Sequence, residues 1–219
     1  RSLYQITVAN EFLRESTDEK LSSRGIAGAD ADAIRAYRLE ARFLRAYQYW
    51  VLMDLFGNPP FITEADPISK VPPRQINRTE LFNYIESELL EIESAMMAPR
   101  QNEYGRADQA AAWLLLAKLY LNAEVYLGQG NGKYSEAIAF SSRVIESGYT
   151  LEPTYAHLFL ADNNLSRNEV ILSINYDAVR SQNFGGTTFL INSSTNGAMN
   201  PASLGIPNGG WGGNRAKAT

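Results

Sequence analysis

From Leu3 to Ile145, apolar residues recur at roughly the spacing of a helix, broken by short polar or glycine- and proline-rich punctuation. Leu3, Ile6, Val8, Phe12 and Leu13 predict a first helix ending near Glu15, where the polar run Ser16-Thr17-Asp18-Glu19 interrupts the pattern. Between Asp32 and Phe56 the signal is stronger. Ile34, Tyr37, Ala41, Leu44, Val51 and Leu55 trace one stripe, and Phe43, Tyr47 and Trp50 trace a second beside it. A helix apolar on two faces is expected to be buried on two sides. Gly57 with Asn58-Pro59-Pro60 marks its end, as a left-handed stop followed by residues that cannot continue a helix. Phe61 to Arg74 holds Asp66, Pro67, Pro72 and Pro73 and reads as an extended connection over the surface.

Helices resume at Asn77 or Thr79. Asn77 with Glu80 has the spacing of a capping pair, and Leu81, Ile85, Leu89, Ile92 and Met96 carry the period until Pro99. The next helix is expected from Asp108 to Tyr126, where Ala107, Ala110, Ala111, Ala112 and Ala117 let a neighbouring backbone approach closely. Gly128 to Lys133 is a loop. It leads to a fifth helix over Tyr134 to Glu146, with Tyr134, Ala137, Ile138, Ser141, Val144 and Ile145 as its stripe and Gly148 as its stop.

Five helices in helix-loop-helix units with Tyr and Ala at packing positions predict a mainly α fold. The expected architecture is an α-α superhelix of antiparallel, tetratricopeptide-like pairs, too irregular for the strict repeat. Beyond Gly148 the texture changes: Val170 to Tyr176 reads as a short strand, and Ser181 to Gly213 as loop with isolated aromatics. The expected division is a helical scaffold over residues 1–160 and a strand plus Gly/Asn/Ser-rich loop segment over residues 161–219.

Composition narrows the function. With 45% hydrophobic and 11% aromatic residues in 219, the chain can bury a real core. A net charge of −4 with interspersed signs offers no basic stripe for a phosphate backbone, so nucleic acid is excluded as an expected partner. No cysteine is present, which removes disulfides and thiolate chemistry. The longest apolar run, Ala110 to Tyr120, contains Lys118 and is too short to span a bilayer. The ends, without a leader at Arg1 and without a closing element at Thr219, read as those of a fragment.

Candidate chemistry is sparse. His157 is the single histidine and reads as a packing or surface residue, so no two-histidine metal site can form. The glycines of Gly128 to Lys133 follow no strand and have the wrong spacing for a phosphate loop, which makes them an interhelical loop. Glu86, Glu88, Glu91 and Glu93 could pair as the two carboxylates of a glycosidase, but read better as a solvated acidic helix face. Asp162, Asn164 and Ser166 alternate like calcium ligands without the glycine and terminal glutamate of a calcium loop, and read as a turn. Neither a cofactor nor a metal is expected.

Trp211, between two glycine pairs, stands out. The indole could project to stack on a sugar face, with Asn214 and Arg215 supplying hydrogen bonds, or it could fold back as an anchor for its loop. Tyr176 and Phe184 complete the set of candidate ligand contacts.

The run from Glu40 through Arg42-Phe43-Leu44-Arg45-Ala46-Tyr47-Gln48-Tyr49-Trp50 to Leu55-Phe56-Gly57-Asn58-Pro59-Pro60-Phe61 resembles the signature of the SusD/RagB family. Arg78 to Phe82, Gly105-Arg106-Ala107, Ala110 to Leu121, Tyr134 to Ala137 and Asn168 to Ile171 resemble later segments of the family in the same order. The resemblance implies an outer-membrane lipoprotein of Bacteroidetes that binds glycans or peptides at the cell surface, without catalysis, and sits on a SusC-type TonB-dependent transporter. It implies a tetratricopeptide-like scaffold with the ligand held by variable loops, here Asp177 to Arg215. It also implies a membrane attachment only through a lipidated cysteine absent from this sequence. Two other readings stay open: a tetratricopeptide adaptor for protein partners, and a helical glycoside hydrolase.

Overall fold

The computed structural model describes residues 1–68, 71–160, 162–176, 180, 186–206 and 209–214, except for the side chain of Thr187. They belong to two compact units, residues 1–173 and 174–219.

The first unit holds α1 (Ser2–Glu15), α2 (Asp18–Ser23), α3 (Gly28–Phe56), α4 (Arg78–Ile92), α5 (Gln109–Leu121), α6 (Ala123–Leu127) and α7 (Tyr134–Glu146). Side-chain contacts fix the direction of each pair. Asn10 meets Arg45 while Leu13 meets Arg38, so α1 and α3 run antiparallel. Arg42 reaches Glu91 while Arg45 reaches Glu88, so α3 and α4 do too. The same crossing of numbers relates α5 to α7, where Tyr120 lies 5.7 Å from Phe140 and Arg143 sits 4.3 Å over Trp113. The chain is therefore the expected row of antiparallel helix pairs.

Local chemistry sets the helix ends. Asn77 and Asp108 accept hydrogen bonds from Glu80 N and Ala111 N at 2.9 and 3.0 Å, satisfying first-turn amides of α4 and α5. Gly57 ends α3 at φ 71°, a conformation open to glycine. The helix expected from Asp108 to Tyr126 is broken at Asn122 into α5 and α6. Thr17 caps α2, a short helix in the polar stretch expected to be an interruption.

One core runs through the unit, built from Ile6, Phe43, Ala46, Tyr49, Leu52 and Met53 with the inner faces of α4 to α6. The rotation of α3 differs from the expected one. Tyr37, Leu44 and Leu55 are exposed, and the core face instead carries Ala41, Phe43, Arg45, Ala46, Tyr49, Leu52 and Met53. On α7 only Ala137 is buried, and Tyr134, Ile138 and Ile145 face solvent.

The Phe61–Arg74 connection does more than cross the surface. Pro60 and Gln75 form an antiparallel bridge that closes its stem, with Phe61 N donating to Arg74 O at 2.9 Å. Tyr49 donates its hydroxyl to Ile62 O at 2.7 Å and accepts from Ile62 N at 2.9 Å. Burial pushes that phenol up to about 12, so it remains a donor at neutral pH.

The expected strand at Val170 to Tyr176 bends at Ile171 and Leu172 and joins no ladder among the described residues. Ile171 and Leu172 are packed on the helical core, so their apolar surface is covered by helices and needs no sheet. The tail expected to be loop contains α8 (Gly186–Ser193) and two short 3-10 turns, Gly197–Met199 and Pro201–Leu204.

Candidate functional site

The second unit is organised around the C-terminal end of α8. The last carbonyls of a helix have no partner within it, and here a crossing segment supplies donors. Trp211 N donates to Asn192 O at 2.7 Å, Gly212 N to Thr195 O at 2.8 Å and Asn214 N to Ser193 O at 2.8 Å. This close approach explains the glycines. A Cβ on Gly210 would stand 2.1 Å from Thr195 O, so only glycine fits, while Gly209 and Gly212 hold φ of 76° and 64°.

The strap leaves Trp211 48% exposed, with its ring 6.3 Å from Phe189 at an interplanar angle of 54°. The backbone of Trp211 is anchored by the strap, while about half of its surface stays open. Asn214 lies exposed on the same strap. Tyr176 is 64% exposed, and among the described residues the ring beside Trp211 belongs to Phe189 rather than to Tyr176. Arg215 and Phe184 lie outside the described residues. Phe189 was not among the expected contacts. Its signal was the apolar run Phe189-Leu190-Ile191 inside an otherwise polar stretch.

The other candidates take structural positions. Glu86, Glu88, Glu91 and Glu93 are ion-paired across helix interfaces, against the expectation of a solvated face. Lys133 holds Glu86 at 3.0 Å, Arg42 bridges Glu88 and Glu91 at 2.8 Å each, and Arg143 holds Glu93 at 2.9 Å. Their side chains meet cationic partners on α3, on α7 and on the loop that precedes α7. Lys133 also lies 5.2 Å from the ring of Tyr120, so the glycine loop delivers a packing lysine. His157 Nδ1 is 3.1 Å from Glu152 at the surface. Asp162 to Ser166 form a 3-10 turn, with Leu165 N donating to Asp162 O at 2.9 Å.

No family model matches the chain. It is 45% identical over 191 residues to the starch-binding protein SusD of Bacteroides thetaiotaomicron, a match covering 86% of this chain and 32% of that one. The chain belongs to the SusD-like family. A laminarin-binding SusD-like protein is 25% identical over 76% of this chain and 34% of its own, with a TM-score of 0.61. A crystal structure with a xylogluco-oligosaccharide superposes with a TM-score of 0.70 at 23% identity, over 90% of this chain and 39% of that one, and shares the fold. This SusD-like chain spans about a third of the length of the first curated relatives it matches.

Proposed function

We propose that this chain is part of a non-catalytic protein that captures oligosaccharide at the outer surface of a bacterial cell and passes it to a SusC-type TonB-dependent transporter. The helical unit serves as scaffold, and the loop-rich segment contributes to ligand contact. The carrying observation is the half-exposed indole of Trp211, steadied by three backbone hydrogen bonds and flanked by Phe189. A flat aromatic surface held rigidly in solvent suits the apolar face of a pyranose, and little entropy is lost when the sugar settles on it. The 45% identity to a starch-binding relative makes an α-glucan the first ligand to try. The four glutamates of the glycosidase alternative are held in ion pairs, which favours capture over hydrolysis by that set.

Calorimetric titration with maltoheptaose tests the reading. The protein is expected to bind the sugar without shortening it, and Trp211→Ala should weaken binding by about 0.5–1.5 kcal/mol, roughly two- to tenfold. Binding unchanged in Trp211→Ala, or released glucose, would overturn it.

A further inference from the structure

A recess lies wholly within the helical unit. It is a cleft of about 230 Å³ between the Arg100–Asp108 turn, Tyr149 and the Arg167–Ser173 segment. That is room for one sugar residue or a small acid, below the usual range for larger ligands.

Its wall is stiff. Arg100 holds a φ of 63°, unusual for a residue with a side chain. It is kept there by its backbone N–H, which donates to Asp108 Oδ2 at 2.8 Å, and by its guanidinium, which bonds Gly148 O and Asn168 Oδ1. Asp108 is 2% exposed, and its two oxygens also accept from Ala111 N and the Tyr149 hydroxyl. The acceptors in the wall are therefore occupied.

The donors are not. Arg167 lies over the ring of Tyr104 at 4.7 Å and spends its Nε on Asn164 O at 3.3 Å. Among the described residues no carboxylate pairs with Arg167 or with the Arg100 guanidinium. The nearby carboxylate, Glu103, faces solvent at the rim, 3.8 Å from Arg106. A guanidinium fixed on an aromatic ring, with its terminal amino groups unspent, is arranged for a planar two-oxygen acceptor.

We infer that this cleft binds the carboxylate of an acidic sugar residue, with Arg167 as the principal anion contact and Tyr104 and Tyr149 flanking the ring. The choice of a sugar acid over other carboxylates rests on the glycan-capture reading. The site itself does not.

Amide chemical shifts of the labelled full chain would be followed on titration with glucuronate, glucose and acetate. Glucuronate is expected to move the amides of Tyr104, Gly105 and Val170 and to bind at least about tenfold more tightly than glucose or acetate. Arg167→Gln should weaken glucuronate binding about tenfold; Arg167 is a surface residue, so this variant is expected to keep the wild-type spectrum elsewhere. Tyr104→Ala should weaken it less. Equal response to glucose, shifts confined to other regions, or an unaffected Arg167→Gln overturns the site, and acetate binding as tightly as glucuronate overturns its assignment to a sugar. The maltoheptaose titration is read separately. Loss of maltoheptaose binding with these shifts intact removes only the Trp211 reading, and the reverse removes only this one.

Discussion

The guanidinium of Arg45, 2% exposed, ties three elements together. It donates to Asn10 of α1 at 2.8 Å and to Glu88 of α4 at 2.9 Å, and it pairs with Glu64 of the Phe61–Arg74 connection. Removing one partner of a buried pair strands the other's charge, so Arg45→Ala should cost about 3–5 kcal/mol in urea unfolding. A loss under about 1 kcal/mol would mean the network is ornamental. Burial alone would raise the Glu64 carboxyl, but the hydrogen bond and charge of Arg45 outweigh it and hold the group below its ordinary 4.5. A depressed carboxyl adds stability that is complete above the unfolded value and disappears as pH falls through the folded one. Unfolding free energy should therefore drop on acidification below about 4.5, and Glu64→Gln should flatten the slope there; equal slopes would contradict the pairing. The resemblance marked Arg42, Arg45 and Tyr49 by identity, yet hydrophobic periodicity could not place a buried arginine, because it scores charge as outward-facing. What buries Arg45 is the set of oxygens supplied by three distant segments.

At the scale of elements, α5 pairs with α7 through Tyr120 with Phe140 and Trp113 with Arg143, and its Ala110, Ala111, Ala112 and Ala117 are all buried. Ala112→Leu inserts methyl groups into a fully enclosed position and should cost about 1–3 kcal/mol by thermal or urea melting. Ile138→Ser on the outer face of α7 should stay within about 0.5 kcal/mol, since Ile138 is 68% exposed. Equal losses for the two variants would show the pattern-based face of α7 to be the packed one after all. Helix existence was legible from period and caps: the Asn77 and Gly57 boundaries stand where their chemistry put them. Helix rotation was less so, because Leu44, Ile138 and their neighbours repeat at the same period as the buried set, and only a partner surface distinguishes them. α2 and α8, six and eight residues long, are too short for a periodic signal and lie in Ser-, Thr- and Asn-rich sequence.

For the whole molecule, burial is concentrated in one of the two units. Every residue of the continuous core, including the partly buried Ile171 and Leu172 that close it, lies within residues 1–173. Trp211 was legible because paired glycines on both sides announced a special backbone. Its neighbour Phe189 was not, since the contact depends on a helix the sequence conceals. Buried apolar area provides most of the folding free energy, so a chain ending at Ser173 keeps what makes the helical pairs stable. Such a truncation should retain a helical circular dichroism spectrum and one cooperative melt. It should also lose maltoheptaose binding, because Trp211 goes with the removed segment, while keeping the Arg167 cleft and its response to glucuronate. A truncated chain that fails to fold would show that residues 174–219 contribute to the stability of the scaffold; one that folds and still binds maltoheptaose would move the neutral sugar from the strap of α8 onto the helical pairs.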